Sequence, residues 1–88
     1  MQERDIPVVN SLGIHARPAS LIVETANRFS SSITLEKDGI SADAKSIINV
    51  MMLAAAYNST VKIKASGADE EEAVEAIARL FAEKFHEE

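Results

Sequence analysis

A histidine and an arginine lie two residues apart where the sequence predicts the start of a helix. The run Gly13-Ile14-His15-Ala16-Arg17-Pro18-Ala19 contains a proline, which the first turn of a helix tolerates because its N–H groups have no intrahelical partner. Such N–H groups attract anions. A neutral imidazole is nucleophilic near pH 7, so His15 is a candidate phosphoryl acceptor, and Arg17 is a candidate for stabilising the charge of a phosphohistidine. From spacing alone, the plainer alternative is a histidine that caps a helix beside a surface cation.

A serine followed by a short apolar run is the second feature. Ser46 precedes the run 47–53, and a serine at this place can accept a hydrogen bond from an unpaired N–H at the start of a short helix. The run is apolar on too many sides for every residue to point inward. We therefore expect Ile47, Ile48 and Met51 to be partly exposed and to bind a partner protein; the alternative is that a loop covers them.

Composition narrows the classes of function. The chain has 88 residues, a net charge of -5 and no cysteine. The negative charge disfavours nucleic acid as a partner, and the absence of cysteine excludes disulfides and thiolate metal sites and fits the cytoplasm. No apolar run is long enough to insert into a membrane, and no export leader precedes the first strand. We expect a surface site that needs no metal and no cofactor.

The elements that position these residues follow from periodicity. The predicted elements are an edge strand over 6–9 that contains Pro7 and ends near Asn10, a helix over 16–29, a hairpin over 33–44, a short helix over 47–53, a strand over 61–65 and a helix over 69–85. Helices that each bury one stripe predict an α/β two-layer open-faced sandwich of order βαββαβα, with one face of the sheet left in water. We expect a single domain over residues 1–88.

The run Gly13-Ile14-His15-Ala16-Arg17-Pro18-Ala19, followed by Lys45-Ser46-Ile47 and its apolar helix, resembles the HPr family, the histidine-containing phosphocarrier proteins of the bacterial phosphotransferase system. The resemblance covers nearly the whole chain. It implies a four-stranded antiparallel sheet with three helices on one face. It also implies that enzyme I, charged by phosphoenolpyruvate, phosphorylates His15 to a pros-phosphohistidine, and that sugar-specific or regulatory acceptor proteins then receive the group, with Arg17 as charge partner.

The same resemblance implies further roles. Ser46 is a candidate site for an ATP-dependent serine kinase and phosphatase, and Ile47, Ile48 and Met51 belong to a docking face shared with the histidine helix. The protein is then a monomeric carrier and not an enzyme. One departure from the family is the segment 54–59, which lacks the glycines of many relatives, so Asn58 is expected to supply a left-handed turn.

Other functions remain open at this stage. A regulatory-branch carrier, which reports nitrogen or carbon status, would use His15 in the same way as a sugar carrier. A binding module would use Ser46 phosphorylation to control docking to a transcription factor, with His15 vestigial. A self-contained phosphatase or transferase is the least favoured, because no metal cluster and no second acid–base group accompanies His15 in the sequence.

Overall fold

Four strands form one antiparallel sheet, and three helices cover one of its faces. The structure, a computed structural model, describes residues 1–9, 13–53 and 58–86. The elements are β1 (Gln2–Pro7), α1 (Ala16–Ala26), β2 (Ser32–Lys37), β3 (Ile40–Asp43), α2 (Ile47–Met52), β4 (Thr60–Ser66), α3 (Glu70–Ala82) and a 3-10 turn (Lys84–His86). The strands lie in the order β1-β4-β2-β3. The predicted fold class and element order are confirmed.

Alternating side chains divide the sheet into a dry and a wet face. In β4, Val61, Ile63 and Ala65 are buried, whereas Lys62 and Lys64 are only half-buried. Successive side chains of a strand point to opposite faces, so one face of β4 packs under the helices and the other meets water. The open face predicted from the sequence is therefore present.

Strand β1 lies at a sheet edge, as predicted, but its predicted bounds were wrong. It begins at Gln2 and ends at Pro7, and among the strands that the structure describes it pairs only with β4. The first residues of β1 are polar and exposed, so they show no apolar alternation by which a strand could be recognised. The predicted end near Asn10 lies outside the described residues.

Helix α1 is one turn shorter than predicted. It ends at Ala26, after which Asn27 donates through Nδ2 to the Val23 carbonyl at 3.0 Å. The same carbonyl also accepts the Asn27 backbone N–H at 3.0 Å, so the Asn27 side chain supplies a second bond at the helix end. Phe29, predicted within the helix, lies beyond it and is half-buried.

Helix α3 ends at Ala82, and not at Phe85 as predicted. Three consecutive residues, Lys84, Phe85 and His86, have φ values of 55°, 54° and 62°, which a right-handed helix excludes. The turn brings Phe85 back into the core, where its ring lies 4.9 Å from that of Phe81 in an edge-to-face arrangement. Phe85 is thus a buried core residue outside the helix in which the sequence placed it.

The two turns predicted by residue type fit the backbone. Asp38 and Gly39, which connect β2 to β3, have φ values of 52° and 80°, as a tight hairpin turn with two left-handed positions requires. Asn58 has a φ of 72°, so the expected left-handed turn is confirmed at that residue. The rest of this connection, residues 54–57, lies outside the described residues.

Candidate functional site

His15 occupies the position immediately before α1. Its backbone is extended, with φ -116° and ψ -165°, and its carbonyl accepts the first helical bond from the Ala19 N–H at 2.9 Å. The imidazole forms no capping hydrogen bond to the helix. His15 therefore occupies the cap position, as the plainer alternative has it, but its side chain does not serve as the cap.

The two ring nitrogens of His15 differ in their access to solvent. The ring as a whole is half-buried, and Nε2 is buried. A phosphoryl donor must bring its phosphorus atom to the nitrogen that attacks it. Burial of Nε2 therefore leaves Nδ1 as the candidate nucleophile.

The first turn of α1 supplies positive charge around His15. Pro18 has no N–H, so Ala16 and Arg17 are the first-turn residues whose N–H groups lack a partner within the helix. The helix is 11 residues long, with its positive dipole end at His15. The Arg17 side chain is exposed, and it forms no ion pair with any residue that the structure describes. This arrangement favours an anion next to the imidazole.

Ser46 caps α2, as predicted. Its Oγ accepts hydrogen bonds from the backbone N–H of Asn49 at 3.3 Å and from the Nδ2 group of Asn49 at 2.9 Å. The side chain is half-buried. Because both bonds use lone pairs of Oγ, the hydroxyl is held at the helix N-terminus with its own proton not used by either of them.

Helix α2 presents apolar side chains to solvent. Ile47, Ile48 and Met51 are 40%, 67% and 44% exposed, so the predicted exposure of these three residues is confirmed. Sequence reasoning missed Met52, which is 75% exposed. The inward side of the same segment consists of Val50 and Leu53. We call the four exposed residues Ile47, Ile48, Met51 and Met52 the apolar patch.

The helix of His15 and the helix of Ser46 are neighbours. Helices α1 and α2 pack against each other. Lys45 links the two elements, because its Nζ donates to the Phe29 carbonyl, beyond the end of α1, at 2.8 Å, while its own N–H binds the Asp43 carboxylate at 2.9 Å. The fold thus brings the candidate acceptor, the candidate regulatory serine and the apolar patch onto one helical layer.

Other kinds of site find no support near His15. Within 1–9, 13–53 and 58–86, no cluster of histidine and acidic side chains is placed to hold a metal ion. No helix in those same ranges is long and apolar enough to cross a bilayer. A surface depression of about 400 Å³ lies along α3 and is lined by Glu71, Glu72, Glu75, Ala76 and Arg79. Its lining is mainly acidic, with one arginine, and does not include His15.

Known proteins that are similar to this chain match it over nearly its whole length. The family model described as the PTS HPr component phosphorylation site matches residues 2–83. The phosphocarrier protein HPr of Treponema pallidum is 48% identical over 88 residues, covering 100% of both chains. The phosphocarrier protein NPr of Proteus mirabilis is 42% identical over 87 residues and the HPr-like protein Crh of Halalkalibacterium halodurans is 46% identical over 84 residues, each covering at least 96% of both chains.

Solved structures agree with these sequence matches. The crystal structure of HPr-C-His from Thermoanaerobacter tengcongensis has a TM-score of 0.96 and 48% identity, covering 100% of this chain and 99% of that chain. An HPr dimer from the same organism has a TM-score of 0.77 and 47% identity, covering 97% of this chain and 98% of that chain. The similarity therefore spans both the element that begins at His15 and the element that Ser46 caps.

Proposed function

The chain belongs to the HPr family of phosphocarrier proteins, and from that premise we propose that it accepts a phosphoryl group on His15 from enzyme I and passes it to acceptor proteins of the sugar phosphotransferase system. It does so in the cytoplasm, as one domain over residues 1–88. The observation that carries the proposal is the imidazole itself: it stands at the N-terminus of α1, takes no part in capping, and has Nε2 buried.

The transfer step uses Nδ1 of His15. Its lone pair attacks phosphorus, an N–P bond forms, and the bond between phosphorus and the carrier atom of enzyme I breaks, with its electron pair returning to that atom. The imidazole must be neutral at the moment of attack. The product has a dianionic phosphoryl group on a pros-phosphohistidine, and the reverse sequence of bond changes delivers the group to an acceptor.

Arg17 and the first-turn N–H groups stabilise the group in transit. The backbone N–H groups of Ala16 and Arg17 and the guanidinium of Arg17 are the donors at this helix end. Electrostatic stabilisation by such donors lowers the transition state as well as the product. A carrier has to release the group again, and an exposed arginine binds an anion less tightly than a buried one would.

Enzyme I docks on the apolar patch. Ile47, Ile48 and Met51 are exposed on a helix that packs beside the histidine helix, so a partner that covers them also reaches His15. The acceptor proteins use the same face, because they must approach the same nitrogen. Because enzyme I and the acceptor proteins use the same face of this chain, they must bind to it one after the other.

Ser46 is the regulatory site of the proposed carrier. An ATP-dependent kinase would place a phosphate on Oγ, at the N-terminus of the helix that bears the apolar patch. The phosphate adds a charge of about -2 next to an apolar contact surface, which disfavours docking by the cost of desolvating that charge. A phosphatase reverses the change.

A regulatory-branch carrier is the second candidate, because relatives named NPr and Crh also match nearly the whole chain. Both candidates use His15 in the same chemistry and differ in the acceptor proteins. A monomer suffices for either one, since every residue of the proposed site lies on one chain. The dimeric HPr structure from Thermoanaerobacter tengcongensis makes the oligomeric state a point to measure by light scattering.

One labelling experiment tests the proposed function. The full chain is incubated with enzyme I and phosphoenolpyruvate labelled on phosphorus, and the labelled peptide is mapped. We expect an acid-labile phosphate on His15, dependent on both enzyme I and phosphoenolpyruvate. Transfer from the isolated labelled protein to sugar-specific or to nitrogen-regulatory acceptors then separates the two candidates. A chain that takes up no label under these conditions is not a carrier for enzyme I.

A further inference from the structure

The sulfur atoms of this chain are concentrated in the apolar patch. The sequence contains three methionines and no cysteine. Met51 and Met52 are 44% and 75% exposed in the patch, and the third, Met1, is 71% exposed in a terminal position. No methionine contributes to the core. An oxidant that attacks thioethers therefore meets no competing thiol, and two of its three targets belong to the surface proposed to bind enzyme I.

The position of the two methionines on α2 makes them part of one continuous surface. Met51 follows Ile47 by four residues, and Met52 follows Ile48 by four residues. Side chains four residues apart lie next to each other on a helix. Each exposed methionine thus extends the surface of one exposed isoleucine, so a change of polarity at either sulfur falls inside the patch.

We propose that Met51 and Met52 form a peroxide-sensitive modification site that controls docking, an inference that rests on the proposed function of the patch. A thioether lone pair attacks one oxygen of hydrogen peroxide, an S–O bond forms and the O–O bond breaks. The departing hydroxide and the proton from the transferred oxygen give water. The sulfur loses two electrons to the peroxide, and the products are one methionine sulfoxide and one water.

The sulfoxide weakens binding without unfolding the protein. It replaces a flexible apolar side chain by a polar one with a strong acceptor oxygen, and a partner that covers the patch must desolvate that oxygen. We expect the Kd for enzyme I to rise roughly tenfold, as for a polar group buried at an interface without a hydrogen-bond partner. The core is unaffected because its apolar residues contain no thioether.

Hydrogen peroxide is the probe for the test. The full chain is treated with it, sulfoxides at Met1, Met51 and Met52 are quantified by peptide mass spectrometry, and the Kd for enzyme I and the melting temperature are measured. The sample is then reduced with methionine sulfoxide reductases A and B, which together repair both sulfoxide epimers. We expect oxidation at both patch methionines, a roughly tenfold higher Kd with an unchanged melting temperature, and recovery after repair.

A double variant provides the control. In Met51→Leu/Met52→Leu, the patch stays apolar while Met1 remains oxidisable, so the ratio of treated to untreated Kd should be one for that variant. The inference is overturned if the oxidised protein binds enzyme I as tightly as its untreated form, if the double variant loses affinity to the same extent, or if lost binding comes with lost folding. Failure of the untreated protein to bind enzyme I would instead overturn the proposed function, and this inference with it.

Discussion

The carboxylate of Asp69, the residue before α3, binds both the backbone N–H and the side-chain hydroxyl of Ser31, the residue before β2. Oδ1 of Asp69 accepts from the Ser31 N–H at 2.9 Å and from the Ser31 hydroxyl, and Oδ2 accepts from the Ser30 N–H at 2.9 Å. The carboxylate is thus used to join two connections 38 residues apart and not to cap its own helix. These bonds favour the ionised form and lower the pKa of Asp69 from 3.8 to about 2.

Acid should remove the contribution of this contact to stability. Because the Asp69 pKa is lower in the folded protein than in the unfolded chain, the stabilisation is complete above about pH 5 and is lost progressively as the pH falls from there through 3.8 to about 2. Asp69→Asn should therefore lower the free energy of unfolding at pH 7, and the difference from the native chain should shrink across that window. Urea unfolding at pH 7, 4 and 2 measures it. Asp38→Asn, in an exposed turn, is the control and should show no such convergence.

Gly67→Ala should disturb the same contact from the other side. A Cβ at Gly67 would lie 2.6 Å from the Ser31 Oγ and 2.7 Å from the Ser31 Cα, and the φ of 151° is unfavourable for any other residue. We expect a loss of about 2–4 kcal/mol, the sum of a clash and a strained backbone. Gly39→Ala is the matched control, since its φ is 80° and nothing lies within 4 Å. It should cost about 1–2 kcal/mol. Equal losses in the two variants would show that the close approach to Ser31 is unimportant.

His15→Ala should abolish labelling by phosphoenolpyruvate and enzyme I while the protein stays folded. The imidazole is half-buried, lies outside the hydrophobic core and forms no capping hydrogen bond to α1, so its removal should cost less than about 1 kcal/mol of stability. Labelling assays and thermal melts of the same preparation measure both effects. His86→Ala, which removes the other histidine of the chain, should label normally. Persistent label on the His15 variant would contradict the assignment of the acceptor.

Arg17→Ala should leave His15 phosphorylatable but slow the transfer by about tenfold to a hundredfold, because it removes an electrostatic contribution and not the nucleophile. Rapid-quench measurements with enzyme I and with an acceptor give the rates in both directions. Arg28→Ala removes another exposed arginine, two residues beyond the C-terminal end of α1, and should leave both rates unchanged. If the two variants behave alike, Arg17 has no special role in the transfer.

Phosphorylation of Ser46 should raise the Kd for enzyme I about tenfold or more without lowering the melting temperature. The phosphate would lie at a helix N-terminus, where negative charge is favourable, so the change should act on docking and not on folding.

Ser46→Ala should affect stability and not docking, with a loss of about 1 kcal/mol of stability from the missing cap and little change in binding. Calorimetry and thermal melts of both forms are needed. Ser32→Asp, at an exposed residue of β2, tests whether added charge alone weakens binding.

The sequence was sufficient for the features that depend on short-range pattern. Alternation predicted β4, the Ser46 cap followed from residue type, and Asn58 was assigned its left-handed conformation because glycine was missing from its loop. Each of these depends on interactions within a few residues. The location of His15 at the start of α1 was predictable for the same reason.

The features that the sequence did not predict depend on contacts with distant segments. The polar segment β1 is a strand because it pairs with β4. The backbone at Phe85 leaves the helical conformation because this places the Phe85 ring against Phe81 in the core. The Asp69 contact with Ser31 has no local signature. Met52 was missed because only the orientation of α2 on the fold decides which of two adjacent methionines is more exposed.

The central place of β4 in the sheet has a consequence for how the protein is made. Both β1 and β2 pair with β4, the last strand in the chain, and Gln2 finds its partner at Ala65. A ribosome therefore releases β1 and the hairpin of β2 and β3 long before the strand that joins them. Until β4 emerges, β1 has no strand to pair with. The polar, exposed side chains of β1 disfavour its association with other nascent chains during that time.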